Sequence, residues 1–243
     1  MENLNVQKVI QKTYYIHAKD LPYLDEVIRL MPNYATKSTT NIVIVDQFFE
    51  TPEKLLSQLD ASIRIRTVGQ KQTLSIVCKN DGVRREFETE MHFGDKIQDK
   101  NEYILFLEDK LQDIYTHRID IDIARMLKNL KAFLYITTER RQLEIINNSG
   151  SMIDKSNNNN TLINIDNDIK KFSTLINIDN VMFSTKRHNV PDNVLEIKLN
   201  CVNDVANKTA FDRLVFTLEQ KISLTPMDET KFDAGKRVFR AEY

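Results

Sequence analysis

Ile63-Arg64-Ile65-Arg66 and Leu195-Glu196-Ile197-Lys198-Leu199 alternate apolar and charged side chains without a break. Successive side chains of a β-strand point to opposite faces. Arg64 and Arg66 therefore share one face, as do Glu196 and Lys198, while the isoleucines and leucines fill the other. The same alternation marks Thr73-Leu74-Ser75-Ile76-Val77-Cys78-Lys79 and Thr138-Glu139-Arg140-Arg141-Gln142-Leu143-Glu144-Ile145. If several strands of this kind curl into a barrel, their charged faces can line its inside. A basic lumen that also holds carboxylates suits a polyanion together with its metal ion.

The bulk numbers narrow the field. A chain of 243 residues buries a substantial core, and 41% hydrophobic with 28% charged residues reads as a globular protein. Lys and Arg number 34 against 35 Asp and Glu, for a formal net charge of −1. That balance excludes a wholesale nucleic-acid coat, which needs a basic surface, but permits a local basic cleft. Cys78 and Cys201 sit in apolar contexts without metal-ligand spacing and are expected as reduced, buried thiols. Met1-Glu2-Asn3-Leu4-Asn5 lacks the blocks of a signal peptide, and no apolar run nears the ~20 residues of a membrane span, so a cytoplasmic protein is expected.

Along the chain, strands are expected at 5–17, 41–50, 61–68, 72–79, 83–91, 132–146, 174–185 and 193–200. Turns fall at Gly69-Gln70 and Asn80-Asp81-Gly82. Asp20 is expected to cap a helix over 21–31, with Pro22 in its first turn and Pro32 stopping it. Apolar spacing predicts helix over 101–131 and near 203–222, followed by a charged tail from Asp228. The Asn-rich stretch 147–160 reads as a mobile polar loop within a single domain over 1–243. The heptapeptide at 161–167 recurs at 174–180, too short a unit for a repeat fold. Eight strands with interposed helices and short turns make an antiparallel α+β fold.

This ordered set resembles the CYTH-like, or triphosphate-tunnel, superfamily, and within it the polyphosphate-polymerase domain of the vacuolar transporter chaperone (VTC) family. Thr13 to His17 with Asp20-Leu21-Pro22-Tyr23 is similar to that domain's opening strand and helix. Asp46-Gln47-Phe48-Phe49-Glu50-Thr51-Pro52 is similar to the superfamily's Tyr-Phe-Asp-Thr-Pro stretch. Ala61 to Gly69, Leu74 to Lys79, Arg84 to Glu90 and Val194 to Asn200 match its later strands in order. The resemblance implies an eight-stranded antiparallel β-barrel, the triphosphate tunnel, with flanking helices. It further implies Arg64, Arg66, Lys79, Arg84 and Arg140, with Lys231 or Lys236 of the tail, as phosphate ligands. Glu196 would hold Mg²⁺ or Mn²⁺, and Lys198 would act catalytically by neutralising developing charge. Guanidinium groups grip phosphate by forked, charge-assisted bonds, and phosphoryl transfer needs positioning and charge neutralisation above all.

The chain also departs from the pattern. CYTH enzymes open with Glu-x-Glu-x-Lys, where this chain carries Val9, Gln11 and Thr13; Lys12 is adjacent but should face outward. Leu175 stands where the VTC pattern has arginine, although Asp179 is kept. Three readings follow. The first is metal-dependent phosphoryl chemistry on a tri- or polyphosphate, as polymerase or triphosphatase. The second is a non-catalytic tunnel that binds polyphosphate, a nucleoside triphosphate or an RNA 5′ end. The third is an RNA 5′-triphosphatase, the one route to a nucleic-acid partner. Glu86, Glu88 and Glu90 read best as counter-charges for the lumen arginines. His17, His92, His117 and His188 are scattered, and no phosphate loop, nucleophile elbow or zinc motif is present.

Overall fold

The computed structural model describes residues 10–31, 34–80, 83–115, 122–147, 173–199 and 205–240. Val9, Pro32, the turn at Asp81-Gly82, residues 148–160 of the polar connection, the first copy of the heptapeptide and Cys201 lie outside the described residues.

In chain order the elements are β1 (Ile10–Ile16), α1 (Leu21–Leu30), β2 (Tyr34–Glu50), α2 (Leu55–Gln58), β3 (Ala61–Val68), β4 (Lys71–Asn80), β5 (Val83–Met91), α3 (Asn101–Tyr115), α4 (Ile123–Lys128), β6 (Lys131–Asn147), β7 (Ser173–Ser184), β8 (Asn189–Leu199), α5 (Val205–Lys221), β9 (Leu224–Pro226) and α6 (Lys231–Val238). The strands follow the hydrogen-bonded order β5-β4-β3-β2-β6-β7-β8-β1-β9. The antiparallel α+β class is as expected; the ninth strand is the three-residue β9, which pairs with β1.

The chain divides into two compact units. The first comprises Met1–Asn41, Arg140–Asn180 and Asn193–Asp228. Its core joins Tyr14, Leu143, Ile145, Ile176, Ile178, Leu195, Ile197 and Leu199 to Leu24 and Ile28 of α1 and to Phe211, Leu214, Val215 and Leu218 of α5. These are alternate residues of each strand and three- or four-spaced residues of each helix, as one buried face demands. Burying each such aliphatic side chain stabilises by roughly 1.5–3 kcal/mol. The other face of these strands is left to polar groups. Asp20 stands at the N-cap of α1 but makes no side-chain cap bond. Its backbone (φ −92°, ψ −13°) already continues the turn Ala18–Asp20, whereas a capping residue needs an extended backbone.

The second unit comprises Ile42–Glu139, Val181–Asp192 and Glu229–Tyr243. Here Ile63, Ile65, Leu74, Ile76 and Cys78 pack under Leu56 of α2, Leu107 and Leu111 of α3 and Leu127 of α4. The single helix expected over 101–131 is replaced by α3 and α4, with 116–121 outside the described residues. Asp122 starts α4 by accepting the Arg125 N–H at 2.9 Å. Gly69 takes φ +59° in the two-residue turn joining β3 and β4, a backbone state that favours glycine. In α6, Gly235 seats the helix closely: a Cβ there would lie 2.8 Å from Leu134 Cδ2. Strand β2 begins at Tyr34, seven residues before the apolar run that signalled it at 41.

Candidate functional site

In the second unit, the polar faces of β2 to β5 carry one charged cluster. Arg66 lies opposite Asp46, and its Nε and Nη2 donate to the two carboxylate oxygens at 2.7 and 2.8 Å. Arg64 donates through Nε to Ser75 Oγ at 3.1 Å and through Nη2 to Glu86 at 3.0 Å and Glu88 at 3.4 Å. Its Nε also lies 3.8 Å from Asp46. Burial, and then the Arg66 charge, push the Arg64 guanidinium below its ordinary value, against the pull of Asp46, Glu86 and Glu88. The hydrogen bond that Arg66 donates to Asp46 raises its own guanidinium instead. The side chain of Arg66 is 39% exposed against 14% for Arg64, so Arg66 is the one that meets solvent.

Lys79 and Arg84 face each other across β4 and β5 at the far end of the same strand faces. Like charges directly opposite in a sheet are unfavourable, and an anion between them would relieve this. Arg84 leans towards Glu86 at 3.1 Å. Glu90 pairs with Lys71 at 2.6 Å. All three glutamates of β5 thus serve as counter-charges. In α6, Lys236 lies over the Phe232 ring, 4.6 Å from its centroid, and 3.6 Å from Asp233. Lys231, half-buried, is the first residue of that helix. Phe232 itself stacks on Phe48 with centroids 4.4 Å apart, which fixes α6 on the face of β2 that also carries Asp46.

Glu50, in the Phe-Phe-Glu-Thr-Pro stretch, has a structural task. Its carboxylate accepts the backbone N–H groups of Thr51, Leu56 and Ser57 at 2.9, 2.9 and 3.0 Å, and the Ser57 hydroxyl at 2.8 Å. It satisfies the donors that the short α2 leaves open.

The first unit carries a second cluster, on the strand faces turned away from α1 and α5. Arg140 on β6 grips Asp179 on β7 through two bonds of 2.8 Å, and Asp179 is wholly buried. Glu196 on β8 is surrounded by donors: Asn177 Nδ2 at 2.6 Å, Gln11 Nε2 at 2.9 Å, Lys198 Nζ at 3.0 Å and Arg140 Nη2 at 3.4 Å. Gln142 donates to Asn177 Oδ1 at 2.9 Å. Lys12 points the other way, lying 3.8 Å from Glu219 of α5, to which the Tyr14 hydroxyl donates at 2.6 Å.

The structure therefore gathers Arg64, Arg66 and Arg84 in one cluster and Arg140, Glu196 and Lys198 in another. Asp46, Ser75, Asn177 and Gln11 were not among the expected site residues, yet each holds one that was, and Gln142 holds Asn177 in turn. The signal for Asn177 and Asp179 is the same alternation, in Ile176-Asn177-Ile178-Asp179 of the strand expected over 174–185, which puts both polar side chains on one face.

A divalent cation at Glu196 does not fit this donor set. Mg²⁺ and Mn²⁺ take hard oxygen ligands, most often carboxylates. Around Glu196 stand an ammonium, a guanidinium and two amide N–H groups, and Asp179 is engaged by Arg140. Among the described residues no group of three or more His, Cys, Asp or Glu could hold a metal ion. No helix among the described residues is long and apolar enough to cross a membrane.

The CYTH domain family model matches residues 9–213. No curated protein matches the chain. Among solved structures, an adenylate-cyclase candidate from Bacillus halodurans is similar at TM-score 0.48 and 14% identity, covering 93% of this chain and 95% of its own. One from Vibrio parahaemolyticus is similar at 0.42 and 12%, covering 93% and 97%. An adenylyl-cyclase candidate from Hippeastrum, described as having a dominant triphosphatase activity, is similar at 0.46 and 12%, covering 94% of each chain.

Proposed function

Because the chain belongs to the CYTH domain family, we propose that it binds a tri- or polyphosphate, inorganic or at the end of a nucleotide, at its charged strand faces, with Arg64, Arg66, Arg84 and Lys79 as the candidate ligands of one cluster and Arg140 and Lys198 as those of a separate one. The observation that carries this reading is the way the arginines are held. Arg66 and Arg140 each lie flat against a buried aspartate with both bonds made, and Arg64 is wedged between Ser75 and Glu86. A guanidinium fixed in this way has lost its rotamer freedom before the ligand arrives, so its remaining donors meet phosphate oxygens at little further entropic cost.

The reading is of a binding module rather than of a polymerase like the VTC domain or an RNA 5′-triphosphatase. Both chemistries call for a divalent cation on the substrate, and the groups around Glu196 disfavour one. Lys198 is then a phosphate-binding residue. Purified protein incubated with tripolyphosphate or ATP, with and without Mn²⁺, separates the cases when released phosphate, chain length and bound ligand are followed together. Binding without turnover is expected. Metal-dependent phosphate release would instead make the protein a triphosphatase, and lengthening chains a polymerase.

A further inference from the structure

The shell around Glu196 says which form of the polyanion is taken. A carboxylate offers about four lone-pair directions. Those directions are about two on each oxygen: Asn177, Lys198 and Arg140 crowd Oε1, and Gln11 takes one of the two on Oε2. Lys198 and Arg140 have no acceptor atom and cannot become metal ligands. Turning the Asn177 amide to present its oxygen would break its bond from Gln142 and set that oxygen against Glu196. Gln11 holds Oε2, the oxygen that Lys198 and Arg140 leave. Lys198 meanwhile spends one of its three donors on Glu196, and its side chain is 31% exposed, so an anion can reach the ammonium.

We infer that this cluster takes the polyphosphate as the free anion, with Lys198 standing in place of a divalent cation, and that Gln11 is the residue that closes Glu196 to metal. The inference rests on the phosphate-binding reading and reverses the sign of the cation's effect. Mg²⁺ complexes tripolyphosphate in solution, so excess Mg²⁺ removes the ligand form that binds. A bridging metal would do the opposite.

Two measurements test it. Calorimetric titration with tripolyphosphate at constant ionic strength should show affinity about tenfold or more weaker in excess Mg²⁺ than in chelator, a gap of about 1.4 kcal/mol or more. Affinity that rises with Mg²⁺ overturns the inference while leaving the phosphate-binding reading in place. Absence of binding in both conditions removes that reading and the free-anion claim together. The second measurement needs no phosphate: the electron paramagnetic resonance signal of Mn²⁺ should be unchanged by the wild-type protein and quenched stoichiometrically by Gln11→Glu. Gln11 is exposed on β1, so the variant should fold. Stoichiometric quenching by wild type that Glu196→Gln abolishes would make Glu196 a metal ligand and overturn the inference. A Gln11→Glu protein that leaves the signal unchanged removes Gln11 as the deciding residue.

Discussion

Arg140 and Asp179 form a bidentate ion pair in which the carboxylate is wholly buried and the guanidinium only 15% exposed. Removing Asp179 strips the Arg140 guanidinium of its bidentate partner and leaves the Glu196 carboxylate, 3.4 Å away, as a looser counter-charge. Asp179→Ala is therefore expected to cost about 3–5 kcal/mol, whereas Asp179→Leu with Arg140→Leu should cost far less. Denaturant titration of the two proteins measures the difference. Equal losses would mean that the pair itself, rather than the orphaned charge, holds the strands together.

In the other cluster, Arg64 and Arg66 share a face with Asp46 and the β5 glutamates. Changing both arginines to Gln keeps a donor for Asp46 but removes two charge-assisted phosphate contacts. Tripolyphosphate affinity should fall on the order of 10²-fold, with the far-UV circular dichroism unaltered. Unchanged affinity would place the phosphate elsewhere.

Glu50 provides the contrasting case. Its carboxylate ties together Thr51, Leu56 and Ser57 and faces no ligand in this account. Glu50→Ala should destabilise by about 2–4 kcal/mol, through orphaned N–H groups and a lost charge, without changing phosphate affinity. Thermal melting and titration of the same protein check both halves.

Burial pushes the Cys78 thiol up to about 11, with the Tyr115 hydrogen bond opposing. In the unfolded chain a thiol ionises near ~8.5. Between those values the folded protein keeps a proton that the unfolded chain releases. This contribution is therefore fully present below about pH 8.5 and is lost as pH rises towards 11. The loss is on the order of 3 kcal/mol, and Cys78→Val should remove it. Melting curves of both proteins from pH 8 to 11 should diverge; parallel curves would mean that the thiol does not titrate with unfolding.

Much of this arrangement was legible in the sequence because strand alternation is a local signal. Ile63 to Arg66 and Leu195 to Leu199 fixed which side chains share a face, and the structure puts the apolar members in the cores and the charged ones together. Hydrogen-bond partners were not legible, because they depend on register between strands far apart in the chain. Nothing local says that Asp46 lies opposite Arg66, or that Gln11, 185 residues away, reaches Glu196. The role proposed for Glu196 differs from the expected one for that reason: its own strand shows one lysine neighbour, while three further donors arrive from β1, β6 and β7. Helix ends were similarly hidden. The spacing over 101–131 runs through both α3 and α4, since both bury apolar faces.

Equilibrium dialysis of the purified protein against tripolyphosphate, with sulfate as the competing anion and chelator present, asks whether the chain holds a polyphosphate at all. Saturable binding that sulfate displaces poorly and that weakens as salt is raised is the expected result. No retention of tripolyphosphate at low salt, or retention no better than that of sulfate, would contradict it.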